Sequence, residues 1–172
     1  MAEQWFIDET KKRSLVLAVV RIRSEDVGRL RVQVRKLVPH GRSYLHFNSE
    51  RPEVITKALR EFAKMPIEAT LISVPAGVPA HEARERAVRQ VARLAKLRLP
   101  QRIVFELDTS MEVHDRRWLR SELGGKSGIE YAHLGKTGDP LLWIADGIAW
   151  AVQRGGESLA KVTNVIVKRI VA

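Results

Sequence analysis

The chain of 172 residues contains no cysteine, which excludes disulfides and thiolate metal sites and fits a reducing, cytoplasmic compartment. It has no apolar run of about 18 residues, so nothing in it is expected to span a membrane. The opening segment "MAEQWFIDETKK" lacks a basic stretch followed by an apolar core, so no secretory signal is expected. Internal repeats and low-complexity segments are also missing. His40, His81, His114 and His133 show no metal-ligand spacing and read as surface or packing residues. Acidic charge is in the minority: 30 Lys plus Arg stand against 20 Asp plus Glu, a net charge of +10. Arg is the commoner cation, and its planar fork suits bidentate phosphate contacts. The excess therefore favours a polyanionic partner, usually nucleic acid, over a merely basic protein from an Arg-rich proteome.

The remaining composition is that of a globular chain, with 45% hydrophobic and 29% charged residues, and the length reads as one domain over residues 1–172. "QWFI" and the continuous β-branched and aliphatic run "SLVLAVVRI", joined by "TKKR", predict a hairpin whose second strand is buried on both faces. "SEDVGRLRVQVRKLV" predicts a helix with Ser24 as N-cap and Glu25 and Asp26 in the first turn. "SYLHFN" reads as a short strand or extended segment, and "RPEVITKALREFAKM" as a helix with Pro52 in its first turn. Strand "IEATLISVPA", helix "HEARERAVRQVARLAKLRL", strand "QRIVFELDTS", helix "MEVHDRRWLRSEL" and strand "IEYAHLG" follow. Asp139 as N-cap, Pro140 at the first position and a Gly pair beyond the end punctuate the helix "GDPLLWIADGIAWAVQRGG". The tail "ESLAKVTNVIVKRIVA" is open between helix and strand. A hairpin followed by alternating strands and helices implies an α/β fold, one mixed sheet flanked by helices, with ligand sites beyond its strand ends.

Acids gather at three such places. Asp8 and Glu9 end the first strand; Asp108 follows "RIVF", with Glu106 two residues before it on the same strand face; Asp146 is the one charge between Leu141 and Val152. Asp146 must be paired, cation-bound or shifted in pKa, because an isolated buried carboxylate costs several kcal/mol. An Asp bonded to backbone or to Arg154 is the structural alternative. Asp8 with Glu9 could be a solvated turn, and Asp108 an N-cap. Taken together, Asp8, Asp108 and Asp146 suit Mg²⁺ or Mn²⁺, hard cations that prefer carboxylate oxygens and that can flank a scissile phosphodiester. His46, between apolar neighbours in "YLHFN", is either a hydrogen-bonded structural residue or a proton shuttle beside the acids. Arg86, Arg89, Arg93 and Lys96 share one helix face, which is either a phosphate-binding stripe or a solvated face paired with Glu82 and Glu85. The four tryptophans read as core rather than as platforms for bases.

The order "FIDET", "LHF", "VFELD", "DPLLWIADGIAWAVQR", covering about Trp5 to Arg154, resembles the domain-of-unknown-function 3800 family. Members start with an Asp-Glu-Ser segment, carry an "HF" motif after the first helix and end with a Leu-Gln-x-Ala-Asp helix. The resemblance implies a ribonuclease-H-like, integrase-type fold. It also implies a metal-dependent nuclease of the kind found near mobile elements and phage-defence genes. It maps Asp8 and Glu9 onto the first acidic pair, His46 onto the motif His, Asp108 onto the central-strand acid and Asp146 onto the final-helix acid. Two positions depart from the pattern: Thr10-Lys11 replaces Ser-Gly, and Trp143 stands where Gln is usual. Besides the nuclease, two other readings stay open. One is an inactive nucleic-acid-binding or protein-interaction module on the same fold. The other is a homodimer packed through the apolar tail, compatible with either activity.

Overall fold

Two apolar runs joined by a cationic turn at residues 11–15 form the hairpin on which the rest of the sheet is built. A computed structural model describes residues 1–172. Strands β1 (Glu3–Thr10) and β2 (Val16–Arg23) pair antiparallel, with Glu3 opposite Arg23 and Thr10 opposite Val16. As its composition predicts, β2 is almost wholly buried. Helices α1 (Ser24–Arg35) and α2 (Pro52–Lys64) lead to β3 (Ile67–Ser73), which pairs antiparallel with β2. Then come α3 (Ala80–Arg98), β4 (Arg102–Glu106), α4 (Glu112–Leu123), β5 (Glu130–Leu134) and α5 (Leu142–Arg154). A short α6 (Gly156–Ala160) and a 3-10 turn precede β6 (Ile166–Val171).

The six strands lie in the order β5-β4-β1-β2-β3-β6. β4 runs parallel to β1, β5 parallel to β4, and β6 parallel to β3 at the opposite edge. Side chains alternate across the sheet with the two-residue period of a strand, and this sorts the core into two layers. Phe6, Ala18, Val20 and Val104 pack toward α1, α2 and α5, whereas Trp5, Ile7, Leu17, Val19 and Phe105 pack toward α3 and α4. The strand-borne site residues Asp8, Glu9 and Glu106 are assigned to one side or the other by this parity.

Helix α5 packs closely against α2 and the loop at residues 43–48 because Gly147 has no side chain. A Cβ there would stand 2.6 Å from the Phe47 ring and 2.9 Å from that of Phe62. Asp139 stands one turn ahead of α5, which begins at Leu142 rather than at Pro140: its Oδ1 accepts the Leu141 N–H at 3.0 Å in the turn leading into the helix, and its carboxylate takes the Arg31 fork. Ser24 makes no such cap. It is the first residue of α1, and its hydroxyl donates instead to Gln101 Oε1 at 2.7 Å.

The segment "SYLHFN" is not a strand but a turn-containing loop, because its buried Leu45 and Phe47 anchor it to the core without a neighbouring strand to pair with. The tail resolves as strand. Residues 166–171 extend their own chain's sheet beside β3, and Lys168 and Arg169 place charge on that exposed edge, which discourages further strand pairing. The apolar tail is thus engaged within the chain, and the structure offers no support for a homodimer through it. No helix is long and apolar enough to cross a membrane.

Candidate active site

The C-terminal ends of β1 and β4 open into a pocket of about 440 Å³, lined by five carboxylates: Asp8, Glu9, Glu106, Asp108 and Asp146. Strand register explains the central pair. Phe6 lies opposite Val104 and Ile7 opposite Phe105, so one step further brings Asp8 beside Glu106, both on the α5 side. Asp146 reaches the same place from α5. Burial raises the Asp8 pKa well above the usual carboxylate range. A hydrogen bond shared with Glu106, which requires a proton on one of the two, and the charges of Asp146 and Glu106 push it further. Burial, then the Glu106 charge, lifts Asp146 to about 6 against the opposing Lys136 ammonium and a backbone hydrogen bond from Phe47. Of the two structural alternatives, the backbone bond is present, from Phe47, whereas the Arg154 pair is not, since Arg154 lies over the Trp150 ring.

Glu9 leaves β1 on the other face, as the residue after Asp8 must. There it meets Lys11 Nζ at 2.7 Å and the guanidinium of Arg84. Arg84 is itself buried and grips Asp115 with two hydrogen bonds of 3.0 and 2.7 Å. Asp115 is fully buried and also bonds His133 Nε2 at 3.1 Å. Burial works to lower the Arg84 pKa, but Asp115 and Glu9 overcome it and hold the guanidinium charged. Asp115 likewise stays below the ordinary range: burial opposes ionisation, but His133 and Arg84 outweigh it. The chain Glu9–Arg84–Asp115–His133 crosses from the pocket into the α3–α4 layer.

Asp108 lines the pocket in a different electrostatic state. Its Oδ1 accepts the Ser110 N–H at 3.0 Å and the Ser110 hydroxyl at 2.5 Å, and its Oδ2 accepts from Lys11 at 3.1 Å. The Ser110 hydroxyl, then Lys11, overcome burial and hold its pKa down at about 2. Two acids singled out from the sequence, Glu9 and Asp108, are therefore neutralised by resident cations. Asp8 and Asp146, with Glu106, are not equally compensated: Lys136 approaches Glu106 no closer than 3.8 Å. Lys136 is held by Trp143, whose indole N–H donates to the Lys136 carbonyl at 2.6 Å.

His46 sits on the loop outside the pocket wall, its Nδ1 2.7 Å from the Ser49 hydroxyl. Burial, then the Lys136 charge, lowers its pKa. The α3 stripe is largely occupied: Arg86 pairs with Glu82, Arg89 with Glu85 at 2.8 Å and Glu122 at 3.2 Å, and Arg93 with Glu122 at 3.6 Å, leaving Lys96 as the stripe's one cation outside an ion pair. Sequence reasoning noted Glu106 on the strand face of Asp108 but had no register with which to rank the two. Arg84 and Lys136 carried no local signal.

The pocket's oxygen donors fit a hard divalent cation. No three Asp, Glu or His side chains are drawn tightly enough to chelate an ion as they stand. Asp8, Glu106 and Asp146 nevertheless repel one another across the pocket, a repulsion that a cation would relieve.

Three antiparallel strands continued by parallel ones, with acids at the ends of β1 and β4, define the class: the fold is ribonuclease H-like. In particular, the structure is similar to ribonuclease HII of Archaeoglobus fulgidus, solved in complex with PCNA. The TM-score is 0.60 at 19% identity, covering 94% of this chain and 78% of that one. Ribonuclease H2 of Pyrococcus horikoshii OT3 gives a TM-score of 0.51 at 14% identity, with coverage of 94% and 77%. A mutant form of Bst ribonuclease HIII gives 0.54 at 13%, with 95% of this chain spanning 53% of the longer protein. No family model and no curated protein matches the chain. At these identities the likeness establishes the fold.

Proposed function

We propose that this protein is a divalent-metal-dependent nuclease that hydrolyses phosphodiester bonds in DNA or RNA. The observation that carries the proposal is the convergence of buried Asp8 and half-buried Glu106, at the ends of two parallel strands, with half-buried Asp146 of α5 in one repulsive cluster. Asp8, Glu106 and Asp146 would hold Mg²⁺ or Mn²⁺, which when bound supplies charge neutralisation at the phosphate and a water of lowered pKa. Asp108, charge-compensated by Lys11, takes a place at the rim instead. Lys11 and Lys136 on the pocket wall offer positive charge to the flanking phosphates. Burial and the Lys136 charge favour the neutral, proton-accepting form of His46, which would serve a proton transfer from the loop beside the pocket. The motif order keeps the domain-of-unknown-function 3800 family, and with it a role in phage defence or mobile-element biology, as the family reading.

One observation favours a second reading, a binding module without catalysis: Lys11 occupies the place of a small residue and pairs with two of the five pocket acids. Calorimetric titration of Mg²⁺ and Mn²⁺ into wild type and Asp146→Asn separates the two, run beside incubation with labelled single- and double-stranded DNA and RNA. The nuclease reading expects metal uptake and cleavage, both lost in Asp146→Asn. Wild type that takes up no metal yet binds nucleic acid in a salt-sensitive way would leave the binding module.

A further inference from the structure

Beside the acidic pocket lies a second groove of about 300 Å³, and Asp146 lines both. Its long wall is one face of α5, where Asp146, Trp150 and Gln153 recur at four- and three-residue spacing. Trp150 differs from the other tryptophans. Trp5, Trp118 and Trp143 are buried in the core, whereas Trp150 is half-exposed and faces the groove. Its ring is steadied by Phe47, 6.2 Å away between centroids, and overlain by the guanidinium of Arg154 at 5.8 Å. Arg154 is exposed and in no ion pair, so nothing but the indole holds it there. Asn48, Lys12 and the Lys11–Glu9 ion pair complete the lining, and the Thr10 hydroxyl donates to the Gln153 amide oxygen.

We infer that this groove is a nucleobase-stacking subsite for single-stranded polynucleotide, with Trp150 as the platform. An indole face accepts any base, because every base has a π-face. The Asn48 and Gln153 amides offer both donors and acceptors to a base edge or a sugar. Lys12, and Arg154 once displaced from the ring, supply charge for the phosphates on either side. A base inside a duplex has its faces covered by its neighbours, so the base that reaches Trp150 comes from an unpaired stretch. The inference rests on the nuclease reading in one respect: a strand seated on Trp150 passes its adjoining phosphate toward Asp146.

The test is made without metal. A short labelled oligothymidine is titrated with the protein in chelator and followed by fluorescence anisotropy. Trp150→Ala is expected to weaken binding roughly five- to a hundredfold, the range of a lost base–aromatic stack, while Trp150→Phe keeps most of the affinity. An abasic site walked along the oligonucleotide is expected to weaken wild-type binding most at one position, and to make little difference there to Trp150→Ala. The abasic walk needs only wild-type protein, so it stands even if Trp150→Ala folds poorly. A flat abasic walk, unchanged affinity in a folded Trp150→Ala, or no binding of any single strand would overturn the subsite. Base-dependent binding by a protein that never cleaves would sink the nuclease reading alone. Cleavage that disappears in Asp146→Asn alongside a flat abasic walk would sink the subsite alone.

Discussion

Lys11 Nζ lies 2.7 Å from Glu9 Oε1 and 3.1 Å from Asp108 Oδ2, so a single ammonium ties the end of β1 to the loop after β4. Burial works against that charge, but the two carboxylates raise the Lys11 pKa and keep it on. The Ser110 hydroxyl contributes more than Lys11 to the low pKa of Asp108, at about 2. Ser110→Ala should therefore raise the Asp108 pKa more than Lys11→Met does, read by NMR titration of the carboxyl carbon. Lys11 is 57% exposed, so its loss should change stability by less than about 1 kcal/mol.

The raised pKa values of Asp146 and Asp8 make stability pH-dependent with a defined sign. A carboxylate whose folded pKa is raised penalises the fold above that pKa, and the penalty disappears as pH falls toward the unfolded value. Metal-free protein should gain stability as pH drops through about 6 toward about 4, measured by urea denaturation. With Asp146 at about 6 against 3.8 unperturbed, Asp146→Asn should be more stable than wild type near neutral pH by up to about 3 kcal/mol. Asp108 and Asp115 act the other way, but only below the ordinary carboxylate range. Added Mg²⁺ should raise the wild-type Tm near pH 8 and leave Asp146→Asn unmoved.

Glu106 and Asp108 can be separated by a pair of isosteric changes. Glu106→Gln should abolish metal uptake and cleavage, because it removes a carboxylate from the Asp8–Asp146 cluster. Asp108→Asn should retain both, its charge being already matched by Lys11. Calorimetry and a cleavage assay on the two variants decide the matter, and the reverse pattern would make Asp108 the ligand.

Arg84 holds two carboxylates, one of them fully buried. Arg84→Met leaves Asp115 without its fork and should cost about 3–5 kcal/mol in chemical denaturation, as breaking one side of a buried pair does. Arg84→Met combined with Asp115→Leu should recover part of that loss, since the uncompensated charge goes too. A cost in the single variant no larger than that of a surface pair would show that Asp115 finds another partner.

Gly147 sets how closely α5 packs against Phe47 and Phe62. Gly147→Ala would press a methyl against the Phe47 and Phe62 rings and should cost about 1–3 kcal/mol by overpacking. A double-mutant cycle with Phe47→Leu should show coupling, because the smaller side chain vacates the space the methyl needs.

The sequence by itself determined the elements and the acids' placement along them. The β-branched run of β2, the turn at Asp139 ahead of α5 and the amphipathic pattern of α3 are local signals with local causes, and they were legible. The lone charge in "LLWIADGIAW" also announced itself, because an acid in an apolar helix needs an explanation wherever the helix lies. Pairing between distant segments had no such signature. The loop 43–48 is anchored by Leu45 and Phe47 rather than by a strand partner, and the tail became β6 because an edge beside β3 was available.

Parity and register, properties of the assembled sheet, decided the site. Asp8 and Glu9 are neighbours in the chain but leave β1 on opposite faces, so the doubled acid serves two environments rather than one. The β1–β4 register brings Glu106 to Asp8, while Ser110 and Lys11 take up the hydrogen bonds and compensate the charge of Asp108. Arg86 and Arg89 face outward on a helix whose own glutamates neutralise them, while Arg84, on the same helix, is turned into the core. Composition records how many charges a chain carries. Which of them remain uncompensated depends on distances of a few ångströms that exist only once the sheet and helices have packed.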